Sequence, residues 1–393
     1  MSRLRTLLNS AGAVALALAL GAIVLALSGY DVGDALGALA QGAVGSVNAN
    51  AETLLQTTPL ILAALAVAVG LRGGLFNIGG EGQITIGGLF AAVVGYQFSD
   101  QPLGSAWRLF HAPAVPGIVQ MVLILAAGVV GGMLWGGLSG LLKARFGAHE
   151  VITTIMLNYV AIGLVSYLVR VPLHGPGPIP QTPFISKAAH LPILIPDTRL
   201  HAGLLVALAV AVGVWFFLWK TPWGFAVRTV GLNPDAAQYA GIGMKRLVFG
   251  TMALSGALAG LAGAVQIAGV DFGLVQTGFS SGYGYDAIAI SLLGLNHPLG
   301  IVLAAWLFAA LRSGAGEMQV AAGVSSQIIS VLQALVILMV SAEAGLRYYV
   351  DQRRKKAQTV ANRASLEQAA TVPASPPAPH QSSVAEPTAE GPR

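Results

Sequence analysis

Asn77, Glu81 and Gln83 are the residues whose types and spacing first point to chemistry. They lie in GGLFNIGGEGQITIGG, Gly73 to Gly88, between the apolar runs Leu60–Leu71 and Ile84–Phe98. Amides both donate and accept hydrogen bonds, and a carboxylate accepts them, so the cluster suits holding a polar group. A continuous membrane helix has no use for Gly73, Gly74, Gly79, Gly80, Gly82, Gly87 and Gly88 so close together. Glycine weakens a helix interior by roughly 1 kcal/mol relative to alanine, and a carboxylate deep in a membrane costs at least ~2.5 kcal/mol. Both costs are tolerable where the backbone is broken and lines a wet path rather than lipid. The reading is therefore a broken helix beside a solute pathway. The alternative is that the same three side chains cap the broken ends and never touch solute. Glu81 in particular can dock on Arg72 or on terminal amide groups.

A second constellation, GLVQTGFSSGYGYDAIAISLLG over Gly273–Gly294, again sets glycines ahead of an acidic residue, Asp286, with Tyr285 beside it, and then resumes an apolar run. Tyr285 and Asp286 are expected to play the part of the first cluster, or Asp286 simply caps a helix start. Asn158 and Gln266 are lone polar residues inside apolar segments. They are candidates for the pathway or for interhelical hydrogen bonds. The histidines show no HxxxH or HxH spacing and there is no cysteine, so no metal site is expected.

The elements that position these residues are membrane helices. Of the 393 residues 55% are hydrophobic and only 9% charged, and the mean hydropathy is +0.72, whereas soluble domains carry about 25% charged residues. The expected fold is all-α, a polytopic bundle of about ten transmembrane helices. The spans are Ser10–Ser28, for which a secretory signal peptide is the alternative, Thr53–Arg72, Glu81–Phe98, Gly117–Leu142, Val151–Val169, Ala202–Trp219, Leu247–Val270, Tyr285–Leu295, Leu299–Leu311 and Ser326–Ser341. Five spans precede the midpoint and five follow it. Two such halves have opposite orientation, so Gly73–Gly88 and Gly273–Gly294 become the paired interruptions of an inverted repeat. Pro172–Pro183, PLHGPGPIPQTP, is too proline-rich for a helix.

Charge sets the orientation. Arg72, Lys143, Arg145, Lys220, Arg228, Lys245 and Arg246 fall on one side of this scheme, with the basic residues of both ends. By the positive-inside rule that side and both termini are cytoplasmic. The pI of about 9.6 then reports basic cytoplasmic loops, not nucleic acid. Residues 1–350 form the membrane domain. Residues 351–393 form a cytoplasmic tail whose basic start, Asp351–Lys356, can touch anionic lipid headgroups and whose Pro/Ala/Ser-rich remainder is expected to be disordered.

Between the sixth and seventh spans, WGFAVRTVGLNPDAAQYAGIGMKR over Trp223–Arg246 is expected to hold a short helix, Asn233–Ala240. Asn233 caps it and Pro234 suits its first turn. Ala236, Ala237 and Ala240 offer a smooth face, flanked by Gly231 and Gly241, that another protein can approach. Three segments resemble the permease subunits of ABC importers of the branched-chain amino acid, simple-sugar and nucleoside group: GLFNIGGEGQ at 74–83, VRTVGLNPDAAQYAGI at 227–242 and GYDAIAISLLG at 284–294. The wording of the first is most like the nucleoside-type members. The resemblance implies a solute importer of the bacterial plasma (inner) membrane. Its partners would be an ATPase, a second homologous permease and an extracellular substrate-binding lipoprotein or periplasmic protein. It also implies that Gly231, Asn233, Ala236, Ala237 and Gly241 dock the ATPase. Asn and Gln amides at the break would then meet a ribose or base. A permease for simple sugars and an ion-gradient-driven carrier remain alternatives.

No Walker GxxxxGK[ST] loop is present, so the chain cannot bind and split ATP itself. HExxH is also absent. The chain is not read as an enzyme, and no cofactor is implied.

Overall fold

The computed structural model describes residues 2–99, 102–104, 106–109, 115–276, 278–325, 327–331, 334, 335, 338, 339 and 342. The expected tenth span, 326–341, is described only in part, and the tail 351–393 lies wholly outside the described residues. Twelve α-helices are described: α1 Ser2–Leu27, α2 Val32–Val44, α3 Val47–Arg72, α4 Gly80–Tyr96, α5 Gly117–Phe146, α6 Glu150–Arg170, α7 Gly203–Lys220, α8 Pro222–Leu232, α9 Pro234–Tyr239, α10 Met244–Gln266, α11 Tyr283–Leu293 and α12 Pro298–Ala321. A π-helical turn, Ile267–Asp271, prolongs α10.

Among the described residues six helical segments are long and apolar enough to cross a membrane: α3, α5, α6, α7, Met244–Asp271 and α12. The expectation of ten is thus met only as a helical, membrane-spanning fold. At 1.5 Å per residue the 11-residue α11 reaches about 16 Å, half of a ~30 Å hydrocarbon core. Two sequence boundaries need correction. The ninth span is not short: α12 continues to Ala321, because Ser313 and Gly314 are contact residues, not an interruption. Ser313 donates to the Gly42 carbonyl of α2 at 3.0 Å, and a Cβ on Gly314 would stand 2.3 Å from the Leu39 carbonyl oxygen. α3 likewise starts at Val47, with Ser46 as its N-cap, and α2 lies between the first two expected spans.

α3 and α10 are the buried centre, and α5, α6 and α7 expose much of their apolar surface. α10 packs on α3, α4 and α5, while α12 packs on α2 and α3. The glycines make this closeness possible. A Cβ on Gly256 of α10 would sit 2.2 Å from the Gly132 carbonyl oxygen of α5, one on Gly260 would sit 2.2 Å from that of Gly128, and one on Gly263 would sit 2.1 Å from that of Ile84 in α4. Lipid offers no hydrophobic drive for helices to associate, so contact at backbone distance, with its dispersion energy, does that work.

The proline-rich connection is non-helical over Leu173–Ile185. It runs beside the segment after α10. Thr182 and Ile185 donate their amides to the carbonyls of Leu274 and Phe272 at 2.9 and 2.8 Å.

Candidate functional site

α3 ends at Arg72, and Gly74 takes a left-handed φ of +70° that turns the chain back along its own helix. The Leu75 amide donates to the Gly70 carbonyl at 2.9 Å. Asn77 then anchors the returning strand. Its Nδ2 donates to Ser255 Oγ at 2.7 Å and to Gln83 Oε1 at 3.0 Å, and its Oδ1 accepts from the Gly79 amide at 2.9 Å and from Gln83 Nε2 at 3.1 Å. Ser255 in turn donates to the Ala66 carbonyl of α3 at 2.6 Å. Asn158 of α6 reaches across with both ends of its amide, donating to the Ile78 carbonyl and accepting from the Gly82 amide, each at 2.9 Å. Asn77, Gln83 and Asn158 are buried. All three are engaged in holding the irregular segment 73–79 and the first turn of α4. Unpaired, such buried polar groups would each cost about 1–3 kcal/mol.

Glu81 does something the sequence left open. It lies in the first turn of α4, yet its carboxylate serves the start of another helix. Oε1 accepts from the Gly282 amide at 3.1 Å and from the Ser280 hydroxyl, and Oε2 accepts from the Gly284 amide at 2.9 Å. These are donors at the N-terminus of α11, where unpaired amides and the helix dipole favour an anion. The two helix starts meet almost backbone to backbone, since a Cβ on Gly284 would stand 2.1 Å from the Glu81 nitrogen. Arg72 is not the partner of Glu81. Its guanidinium donates to the carbonyls of Leu295 and Asn296, at 3.1 and 3.0 Å, just past the other end of α11. Leu295 and Asn296 both have positive φ, 55° and 52°, a strained turn of roughly 1–2 kcal/mol per residue that these bonds hold. The two flanks of the irregular segment thus grip α11 at both ends, with a carboxylate at its positive pole and a guanidinium at its negative one.

Asp286 does not cap α11 either. It pairs with Arg312 of α12 at 3.1 Å. Arg312 also donates to the Ser281 carbonyl at 2.7 Å and lies over the Tyr283 ring, 4.6 Å from its centroid. Tyr285 is exposed. Gln266 is remote from the Asn77 cluster. It lines a cavity of about 290 Å³ with Glu52, Leu55, Gln56, Arg199, Val270, Tyr283 and Arg312. The structure therefore brings Asn77, Glu81, Gln83 and Asn158 together, and sets Gln266 at a separate space whose Arg312 pairs with Asp286. Arg72, Ser280 and Arg312 went unsingled in the sequence as site residues. Arg312 had a signal, since a charge set directly after an apolar run such as Leu299–Leu311 is rarely idle.

At the other end of the bundle, α9 has the predicted cap: Asn233 Oδ1 accepts from the Ala236 amide at 3.0 Å. The alanine face needs correction. Ala237 is fully buried in the apolar core, whereas Gly231, Asn233, Ala236 and Gly241 are exposed. A six-residue helix lying flat on the bundle must turn one position inward. Gly231 presses on the break itself, for a Cβ there would meet the Arg72 carbonyl oxygen at 2.1 Å and the Gly74 nitrogen at 2.9 Å. The loop of α8 and α9 thus abuts the turn that precedes the Asn77 cluster.

The sequence reading passed over Gly278–Gly282, GFSSG, which spells the G-x-S-x-G of a hydrolase nucleophile elbow. Its surroundings do not follow the spelling. Ser280 donates to Glu81, a helix end lies upstream where a strand is required, and among the described residues no histidine is bonded to it. Groups of His, Cys, Asp and Glu able to hold a metal are absent among the described residues.

A family model described as "Branched-chain amino acid transport system / permease component" matches residues 49–341. The guanosine ABC transporter permease protein NupP of Bacillus subtilis is 38% identical over 361 residues, 91% of this chain and 99% of the relative. The glucose ABC transporter permease protein TsgB13 of Haloferax volcanii is 37% identical over 85% of this chain and 87% of the relative. The nucleoside ABC transporter permease protein NupB of Lactococcus lactis is 35% identical over 82% and 87%. No solved structure matches. The matched residues run from the start of α3 past α12 and contain both helix starts and the α8–α9 loop. A multi-pass membrane protein built in this way, matched over that length, belongs to the branched-chain amino acid transport system permease family.

Proposed function

We propose that the chain is the membrane-spanning permease subunit of an ATP-driven ABC importer whose solute is a nucleoside. As a permease component it is not an enzyme. Energy comes from a separate ATPase beneath it, a second homologous permease completes the pathway, and an extracellular binding protein delivers the solute. The observation that carries the reading is the joint of α4 and α11. Two helix starts meet at glycines, are tied by Glu81, and are reached from the basic face through Gly231 on Gly74. Such a joint can open and close while the surrounding helices move as bodies. The names of NupP and NupB favour a nucleoside.

The finer architecture belongs to the same proposal. The permease domain is 1–350 and spans the plasma membrane about ten times, α4 and α11 being half-helices of an inverted repeat. Both termini and the tail 351–393 are cytoplasmic. Asn77, Glu81, Gln83 and Asn158 shape the break beside the pathway, with Gln266, Tyr285 and Asp286 on the other half. Gly231, Asn233, Ala236 and Gly241 receive the ATPase, and Ala237 supports them from within. A sugar permease is the second reading, favoured by the glucose permease TsgB13. Uptake of labelled guanosine and labelled glucose by the complete complex in proteoliposomes, with ATP inside, separates the two. Guanosine uptake that excess glucose leaves untouched supports the first reading, and glucose uptake that excess guanosine leaves untouched replaces it.

A further inference from the structure

Glu52 and Arg72 lie twenty residues apart on the one helix α3, about 30 Å. The cavity lined by Glu52, Gln56, Arg199, Gln266, Tyr283 and Arg312 therefore sits at the membrane face opposite Gly231. It adjoins a wider space of about 640 Å³, which shares Glu52, Gln56, Arg199 and Arg312 and adds Asn48 and Glu317. Each guanidinium in it already has its carboxylate: Arg199 donates to both oxygens of Glu52 at 2.8 Å, and Arg312 pairs with Asp286. Glu317 adds a negative charge at the mouth. A phosphate or carboxylate entering here finds no unmatched cation, and it must displace an internal carboxylate to gain one. Hydrogen-bonding capacity, by contrast, is unspent. Gln56 donates to Glu52 at 3.3 Å, while its Oε1 is buried behind the wall with no partner among the described residues, an acceptor that a turn of the amide would bring to a hydroxyl or amine. Leu55, Val270 and Tyr283 supply the apolar remainder of the wall.

We infer that this cavity is the receiving site for an uncharged, hydroxyl-bearing solute, and that its balanced ion pairs reject anionic relatives of that solute. It rests on the importer reading above and adds to it the place and the charge rule of entry. The cavity also touches the joint. Arg312 holds the Ser281 carbonyl on one side of the α11 start while Glu81 holds the Gly282 and Gly284 amides on the other, so solute that disturbs Arg312 loosens the same turn that Glu81 clamps.

The chain has no cysteine, so single thiols report directly. Gln56→Cys and, as a reference at the open mouth, Asn48→Cys are each assembled with the ATPase, partner permease and binding protein in proteoliposomes. They are then labelled with neutral hydroxyl-bearing and anionic sulfonate methanethiosulfonates. The expected result is an anionic-to-neutral rate ratio roughly tenfold lower at position 56 than at 48, slowed labelling at 56 under guanosine turnover, and recovery of the anionic rate when Glu52→Gln leaves Arg199 unpaired. Equal ratios at the two positions, or a Glu52→Gln change without effect, overturn the charge rule. A thiol at 56 inert to every reagent while that at 48 reacts overturns the cavity as an entry site. If Gln56→Cys fails to assemble, Gln266→Cys replaces it under the same criteria. Loss of ATP-driven guanosine uptake in the unmodified complex is a separate result, which strikes the importer reading and not the cavity.

Discussion

Replacing Glu81 by glutamine isolates the joint between α4 and α11. Oε1 carries two of the three bonds, from Ser280 and the Gly282 amide, and Oε2 carries that from Gly284. A glutamine placed with its oxygen at Oε1 keeps the first two and turns an NH₂ toward the Gly284 N–H, donor against donor. The lost charge-assisted bond is worth about 2 kcal/mol, and the lost anion at a partly buried helix N-terminus about 1 kcal/mol. The expected destabilisation is therefore about 3 kcal/mol. At the lower end of 2–4 °C per kcal/mol this is a fall of about 6 °C in the apparent melting temperature of the detergent-purified chain, read by intrinsic fluorescence. Glu81→Gln combined with Ser280→Ala should fall short of the sum of the two single changes, because the second removes a donor to the very charge that the first removes. A melting temperature within about 1 °C of the parent, or strict additivity of the pair, would refute the claim that Glu81 ties the two helix starts.

Arg72→Gln should release the left-handed turn at Leu295 and Asn296 at a cost of about 2 kcal/mol, seen as faster hydrogen exchange confined to residues 290–297 while α3 stays protected. Gly256→Leu should prevent α10 from reaching Gly132 and Gly136 of α5, costing 3 kcal/mol or more by overpacking, and monodisperse protein should be lost on size-exclusion chromatography. His201, outside the spans, is pulled down to about 4 by burial, and its Nδ1 accepts from the Gly203 amide at 3.1 Å. Its folded value lies below the ordinary 6.5, so its contribution, about 3 kcal/mol, is complete above pH 6.5 and is lost as the pH falls from 6.5 toward 4. Thermal melts between those pH values should show a drop that shrinks in His201→Phe. On the basic face, Tyr239→Ala alters an exposed side chain and should uncouple ATP hydrolysis from uptake with the fold intact, whereas Ala237→Trp, at a buried position, should also lower the melting temperature.

Much of this was legible in the residues. Glycine-rich stretches between apolar runs marked both irregular starts, and Asn233–Pro234 marked the start of α9, because caps and left-handed turns depend on local chemistry. The partners of the polar side chains were not legible. Glu81 lies about two hundred positions from Ser280, Gly282 and Gly284, and nothing local distinguishes a carboxylate that serves its own helix from one that serves another. Ala237 was misread because a short helix on a surface shows no period long enough to tell its inner side. α12 was cut short because Ser313 and Gly314 look like a breaker until α2 is seen to lie against them. The cavity residues Glu52 and Gln56, one turn apart on α3, were not singled out, Glu52 because the span was expected to begin only at Thr53 and Gln56 because nothing local shows what a polar residue near a span's end faces.

The energy source is the sharpest point of test. Guanosine uptake should be measured in proteoliposomes holding either the full complex or this chain without its ATPase, each with ATP, with a proton or sodium gradient, and with a protonophore. Uphill uptake only by the full complex, driven by ATP and indifferent to the protonophore, is the predicted result. Uphill uptake by the chain lacking any ATPase, driven by an ion gradient and abolished when that gradient is collapsed, would contradict it.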